Sequence, residues 1–144
     1  HALDEGAFRW SCDKGHKAVA EWLLSLEETY GKIDIHADNE GAFRFACCYG
    51  HKSVAEWLLS LEETYGKINI HANDEYAFRW ACGNGHKSVA EWLISLEETH
   101  GKINIHASDE VAFQWACENS HKSIAEWLLS LEKTHGKINR DIFQ

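Results

Sequence analysis

The side chains best suited to chemistry in this chain are ten histidines and five cysteines. Two histidine series recur at a constant interval: His1, His36, His71 and His106, and then His16, His51, His86 and His121. A zinc site needs several ligands within ~2.0–2.3 Å of one ion. One ligand per layer, in helices stacked ~8–10 Å apart, converges poorly, so no metal site is expected. Cys48 and His51 are the closest pair of soft ligands, and two ligands are too few for a structural site. Read as a nucleophile and its base, the same pair still needs an oxyanion site and a third, orienting group. Neither is signalled, so the reading is non-enzymatic, with no cofactor. Cys48 is expected to be exposed and oxidisable, and Cys12, Cys47, Cys82 and Cys117 to be buried as small hydrophobes. An odd cysteine count without a C-x-x-C pair reads as reduced thiols in an intracellular protein.

The histidine interval is that of the whole sequence. The chain divides into four units of 35 residues, 1–35, 36–70, 71–105 and 106–140, with a tail at 141–144. The second and third units are identical at 27 of 35 positions. Each unit reads as two helices and a connector. In the second unit, Ala42, Phe43, Ala46 and Cys47 form one apolar stripe at helical spacing, on a helix expected to start near Asn39 as N-cap. Gly50 ends the following turn. The second helix is expected from about His51 to Tyr65, with Val54, Trp57, Leu58 and Leu61 on one face. Ser53 and Glu56 have capping-box spacing, repeated from Ser88 and Ser123. Gly66 stops this helix, and residues 67–71 alternate polar and apolar as a short extended segment does. One such unit cannot bury a helical face alone, so the units must stack. The expected fold is one all-α repeat solenoid of helix-turn-helix units with short finger connectors, in which Trp22, Trp57, Trp92 and Trp127 form an aromatic column.

The stretches Ala77–His86 and Val89–Ile94, with their counterparts in all four units, resemble the ankyrin repeat, whose pattern runs T-P-L-H-x-A-A-x-x-G-H into an apolar second helix. Their flavour also resembles ankyrin arrays of large DNA viruses of amoebae. The sequence departs from the family pattern in two ways. Gly6-Ala7, Gly41-Ala42, Tyr76-Ala77 and Val111-Ala112 stand where the family has Thr-Pro, and Arg9, Arg44, Arg79 and Gln114 stand where it has His. The family's hydroxyl-to-imidazole lock therefore cannot form in its usual way. The two residues beyond the usual 33 fall at the Leu-Glu-Glu-Thr end of the second helix, which should lengthen by about half a turn. A tetratricopeptide array fits less well, since its first-helix signature and closing proline are missing.

Composition narrows the partner. Fourteen Lys and Arg face 23 Asp and Glu, for a formal net charge of -9. That balance opposes the counterion-release binding typical of nucleic acid and anionic membranes and favours a basic protein partner. No apolar run approaches the ~18 residues of a membrane span.

Positions that differ chemically among the units fall in two clusters. One lies at the fingertip and helix entry, with Leu3, Asp4 and Gly6, Asp38, Asn39 and Gly41, Asn73, Asp74 and Tyr76, and Ser108, Asp109 and Val111. The other lies at the end of the first helix, with Asp13 and Lys14, Cys48 and Tyr49, Gly83 and Asn84, and Glu118 and Asn119; Arg44, Arg79 and Gln114, further back on the same helix, complete the candidate partner-binding surface. The family resemblance implies that matching positions line a concave groove that binds a partner protein. Tyr49, Tyr76, Arg44 and Arg79 are the expected anchors, since tyrosine and arginine are enriched at binding hot spots. Asp38, Asp74, Asp109 and Glu118 make an acidic rim. The alternative is a passive scaffold or spacer, or an engineered array without a partner. Against a designed library stands apparent drift outside the groove, at Tyr30, Tyr65, His100 and His135.

The first residue is His1 and the chain contains no methionine, which reads as an excised segment. The fourth unit carries Ser120 where the others have glycine and Arg140 where they have isoleucine, as an array end would. The first unit shows no such polarisation. An exposed apolar face is expected there, with self-association as its consequence.

Overall fold

A computed structural model describes residues 2–141, with side chains from Glu5 onward. His1, the side chains of Leu3 and Asp4, and residues 142–144 lie outside the described residues. Each unit contributes three helices rather than two. The first has α1 (Ala2–Asp13), α2 (Lys17–Ser25) and α3 (Glu27–Tyr30), and the second α4 (Ala37–Cys48), α5 (Lys52–Ser60) and α6 (Glu62–Tyr65). The third has α7 (Ala72–Gly83), α8 (Lys87–Ser95) and α9 (Glu97–His100), and the fourth α10 (Ala107–Glu118), α11 (Lys122–Ser130) and α12 (Glu132–His135). Each long helix α1, α4, α7 and α10 packs on the next and on the second helix of its own unit, giving the expected all-helical stack.

The extra helix has a local cause. Ser60 Oγ donates to the Trp57 carbonyl, which the Leu61 N–H would otherwise take, and Leu61 N bonds to the Leu58 carbonyl at 3.1 Å instead. A hydroxyl competing for a helical carbonyl tightens the ladder to an i−3 bond and ends the helix. Ser25, Ser95 and Ser130 repeat the contact. The expected half-turn extension is thus a separate four-residue turn beyond a break at Leu61. The capping box does not form either. Helix α5 begins at Lys52 with His51 before it, so Ser53 already lies inside the first turn and no side chain caps this end.

The first helix also departs from its expected entry. Asp38, Asn39 and Glu40 all take left-handed dihedrals (φ 63, 53 and 62°), as do Asn73–Glu75 and Ser108–Glu110, and the right-handed course resumes only at Gly41, Tyr76 and Val111. A left-handed residue costs roughly 1–2 kcal/mol, least for Asn and Asp. The second-unit turn is held by Arg44, whose Nε and Nη2 donate to the carbonyls of Asn39 and Asp38 at 2.8 and 3.0 Å. Arg79 does the same for Asp74 and Asn73, at 2.8 and 3.1 Å.

The core runs through the stack as one cluster, with Phe8, Phe43 and Phe78, Leu58 and Leu93, and the alternating isoleucines Ile68 and Ile70 all buried. The tryptophans form no column of their own. Trp57 packs on Phe8, Trp92 on Phe43 and Trp127 on Phe78, each at 6.1 Å between ring centres, so these three tryptophans each cross a junction onto the preceding unit's phenylalanine, while Trp22 is exposed.

Candidate interaction surface

The first helices carry a strip of touching rings. Phe45 stacks with Tyr49 at 6.4 Å and meets Tyr76 edge-on at 5.8 Å. Tyr76 lies 5.7 Å from Trp80, and Trp80 lies 4.6 Å from Trp115. Guanidinium groups lie along the strip: Arg44 is 4.6 Å above Tyr76 and 5.1 Å from Phe45, and Arg79 is 5.9 Å from Trp115. Phe45, Trp80 and Trp115 occupy one position of the repeat and were missed as surface residues in the sequence. Their signal was an aromatic in every unit beside a stripe already filled by Phe and Ala. Gly83 lets Trp115 come close, since a Cβ there would stand 3.0 Å from the indole. Trp80, Gly83, Asn84, Trp115, Glu118 and Asn119 line an open hollow of about 280 Å³ beside this pair.

The residues singled out by sequence divide in two. Asp38, Asn39, Tyr49, Asn73, Asp74, Ser108, Asp109 and Glu118 are exposed, while Tyr76, Arg79, Val111 and Gln114 are half-buried. Arg44, at 6% exposed, and Gly41 are buried, so Arg44 supports the fingertip turn instead of projecting from it. Asn84 and Asn119 are exposed but committed, donating across junctions to the carbonyls of Cys48 and Gly83 at 2.9 and 2.8 Å. Part of the acidic rim is also engaged. Asp38 pairs with Arg9 at 3.1 Å, and Asp74 accepts from Ser108 at 2.6 Å. Gln114 donates to Glu118 at 2.8 Å.

Two cysteine expectations are overturned. Cys48 is buried, 3% exposed, because Asn84 and Tyr76 of the next unit cover it, and Cys117 is exposed because its helix belongs to the last unit. Burial, then the neighbouring Asp13 carboxylate, push the Cys48 thiol above its ordinary value, against the pull of Tyr76, Asn84 and Arg44. Burial with Asp13 pushes the Cys12 thiol up to about 12. The His51 ring lies against Gly15 of the preceding unit. Cys48 at neutral pH is a protonated thiol, not a poised nucleophile. No group of three or more metal-ligating side chains converges among the described residues.

A family model for ankyrin repeats in three copies matches residues 63–141, more than half of the chain. The chain belongs to the ankyrin repeat family. No curated protein matches it significantly. Ankyrin repeats are generally protein–protein interaction modules and typically non-enzymatic. Among the described residues, no helix is long and apolar enough to cross a membrane.

In this ankyrin array the missing Thr-Pro and His are replaced by another lock. His36 Nδ1 lies 2.9 Å from Glu40 Oε1, and its Nε2 lies 2.8 Å from the carbonyl of Tyr65 at the end of the same unit. Glu40 Oε2 also accepts the Asn69 N–H at 2.7 Å, tying the second unit's fingertip to its own connector. His71 with Glu75 and Asn104, and His106 with Glu110 and Asn139, repeat the arrangement. A carboxylate and a carbonyl only accept, so both ring nitrogens of His36 must donate, which is the imidazolium form. Burial pulls His36 down, but the Tyr65 carbonyl and Glu40 outweigh it and hold the ring above its ordinary value. Burial, the His135 carbonyl and Glu110 act on His106 in the same way, with the same net direction.

Proposed function

We propose that the chain is a non-enzymatic binding module that holds a partner protein on the fingertip and first-helix surface, with the ring strip from Tyr49 to Trp115 as its floor. The observation that carries this reading is the strip itself. Touching aromatics run across three successive units on the helices where the units differ most, with Tyr49 52% exposed at one end. Rigid aromatic area of this kind supplies binding energy at low entropic cost. Asp109 and Glu118, exposed on the same helices, favour a basic loop or helix, steered mainly through on-rate and sensitive to salt.

The test is a pull-down with the double variant Tyr49→Ala and Glu118→Lys, both changes on exposed side chains. Loss of partner capture with an unchanged melting temperature is expected, and retained capture contradicts the reading. A passive spacer is the second reading. It is favoured by the commitment of Arg44, Asn84 and Asn119 to holding the stack, and capture that is absent even with the unaltered chain would support it. An intracellular site of action accords with the reduced thiols.

A further inference from the structure

The junctions between successive units are built from three repeated contacts. Besides the tryptophan on the preceding phenylalanine, a histidine lies over the preceding turn glycine. A Cβ on Gly15, Gly50 or Gly85 would stand 2.6, 2.5 or 2.7 Å from His51, His86 or His121. Third, Tyr65, His100 and His135 hydrogen-bond Glu27, Glu62 and Glu97 of the preceding unit.

The first unit holds one half of this set without its complement. Trp22 is 59% exposed and Tyr30 64%, and His16 is exposed with its ring 5.7 Å from that of Trp10. The fourth unit keeps Phe113 but alters the other two members of the complementary half. Ser120, at φ 62°, stands in the place of the glycine that receives the ring. Arg140, in the place of Ile35, Ile70 and Ile105, puts Nη2 3.1 Å from Glu132 Oε1 and so occupies the carboxylate.

We propose that the outer face of the first unit is a docking face for a further helical unit of the same construction, one presenting a turn glycine, a phenylalanine and a glutamate. Ser120 and Arg140 close the opposite face, so that copies of this chain do not stack head to tail. The occupant is read from continuity with the three internal junctions, each of which covers the same side chains with the same complement. A second copy is disfavoured by the same geometry. The seryl Cβ would force the incoming histidine ring to shift, and Arg140 would have to leave Glu132. A head-to-tail contact is heterologous and propagates into filaments, which one closed end prevents.

The probe is the full chain carrying S120G, R140I and Trp22→Glu, which opens its far face and blocks its outer one. The first two substitutions install the residues that the other three units carry, so the fold is retained, and circular dichroism with cooperative unfolding checks this. Mixed with the unaltered chain in sedimentation equilibrium, the probe is expected to form a one-to-one complex, while each protein alone stays monomeric. Trp22→Glu in the otherwise unaltered chain should abolish the complex. A folded probe that leaves the mixture monomeric overturns the proposal. So does self-association of the unaltered chain that Trp22→Glu disrupts, since its far face would then be open. R140I with Trp22→Glu, without S120G, serves as a milder second probe and is expected to bind more weakly than the full one.

Discussion

Glu40, Glu75 and Glu110 are buried carboxylates, a costly placement unless every lone pair finds a donor. Each is matched by a histidine four residues earlier and a backbone N–H of its own unit's connector. Removing one partner of such a pair is more damaging than never having had it. Glu40→Gln should therefore lose about 2–4 kcal/mol in urea unfolding. The pH dependence follows from the directions of the shifts. His36 and His106 are held above their ordinary value, so their contribution is complete below the unfolded pKa and is lost as pH rises through the folded one. His86 is pulled the other way, by burial and then by repulsion from His51 and His121, so its contribution is present above the unfolded pKa and fades as pH falls. Urea midpoints from about pH 5 to about pH 9 should pass through a maximum, with the alkaline limb flattened in Glu40→Gln.

The same scale resolves the apparent drift at Tyr65, His100 and His135. Tyrosine and histidine both reach the glutamate of the preceding unit, so the exchange is between two donors that serve one acceptor. Tyr65→His should unfold at nearly the midpoint of the parent. Tyr65→Phe should lose about 1 kcal/mol, because Glu27 is left without that donor. Equal midpoints for the two variants would contradict the assignment.

At the scale of elements, the fingertips explain why Asp, Asn and Ser recur at two adjacent positions that otherwise look like free surface. The backbone there is left-handed at Asp38 and Asn39, at Asn73 and Asp74, and at Ser108 and Asp109, and short polar side chains tolerate this best. Part of what resembles functional variation is thus a conformational filter. Arg44 is the support. Arg44→Met keeps the length but removes both carbonyl bonds, and should cost about 2 kcal/mol in thermal or urea unfolding. An unchanged stability would free Arg44 for the partner role that its residue type suggests. The helix stripes, the turn glycines and the connector isoleucines were legible in sequence because they depend on spacing within one unit. The break at Leu61 was not, because it turns on a serine hydroxyl outcompeting one backbone N–H, which leaves no mark in the apolar pattern.

For the whole molecule, neighbouring units supply most of each unit's packing, so stability should vary along the stack. The third unit is covered on both sides, whereas the first leaves Trp22 and Tyr30 exposed. Amide hydrogen exchange should therefore be fastest in α2 and α3 and slowest in α7 and α8. Uniform protection across the four units would show that the array opens only as a whole.

The sequence by itself determined the 35-residue period, the stacked helical architecture and the family, because periodic apolar residues and helix-ending glycines act over one or two turns of chain. It also placed the acidic, variable positions on the first helices and fingertips. Only the tertiary structure decided which of those residues face outward and which hold the array together. Within one unit Asn69 meets Glu40 from 29 residues away, and across junctions Asn84 meets Cys48 from 36 and His100 meets Glu62 from 38. Contacts across a repeat junction join residues at nearly one period's distance, where every copy offers the same residue types. Stacking geometry therefore decides whether a polar side chain is a bond or a surface.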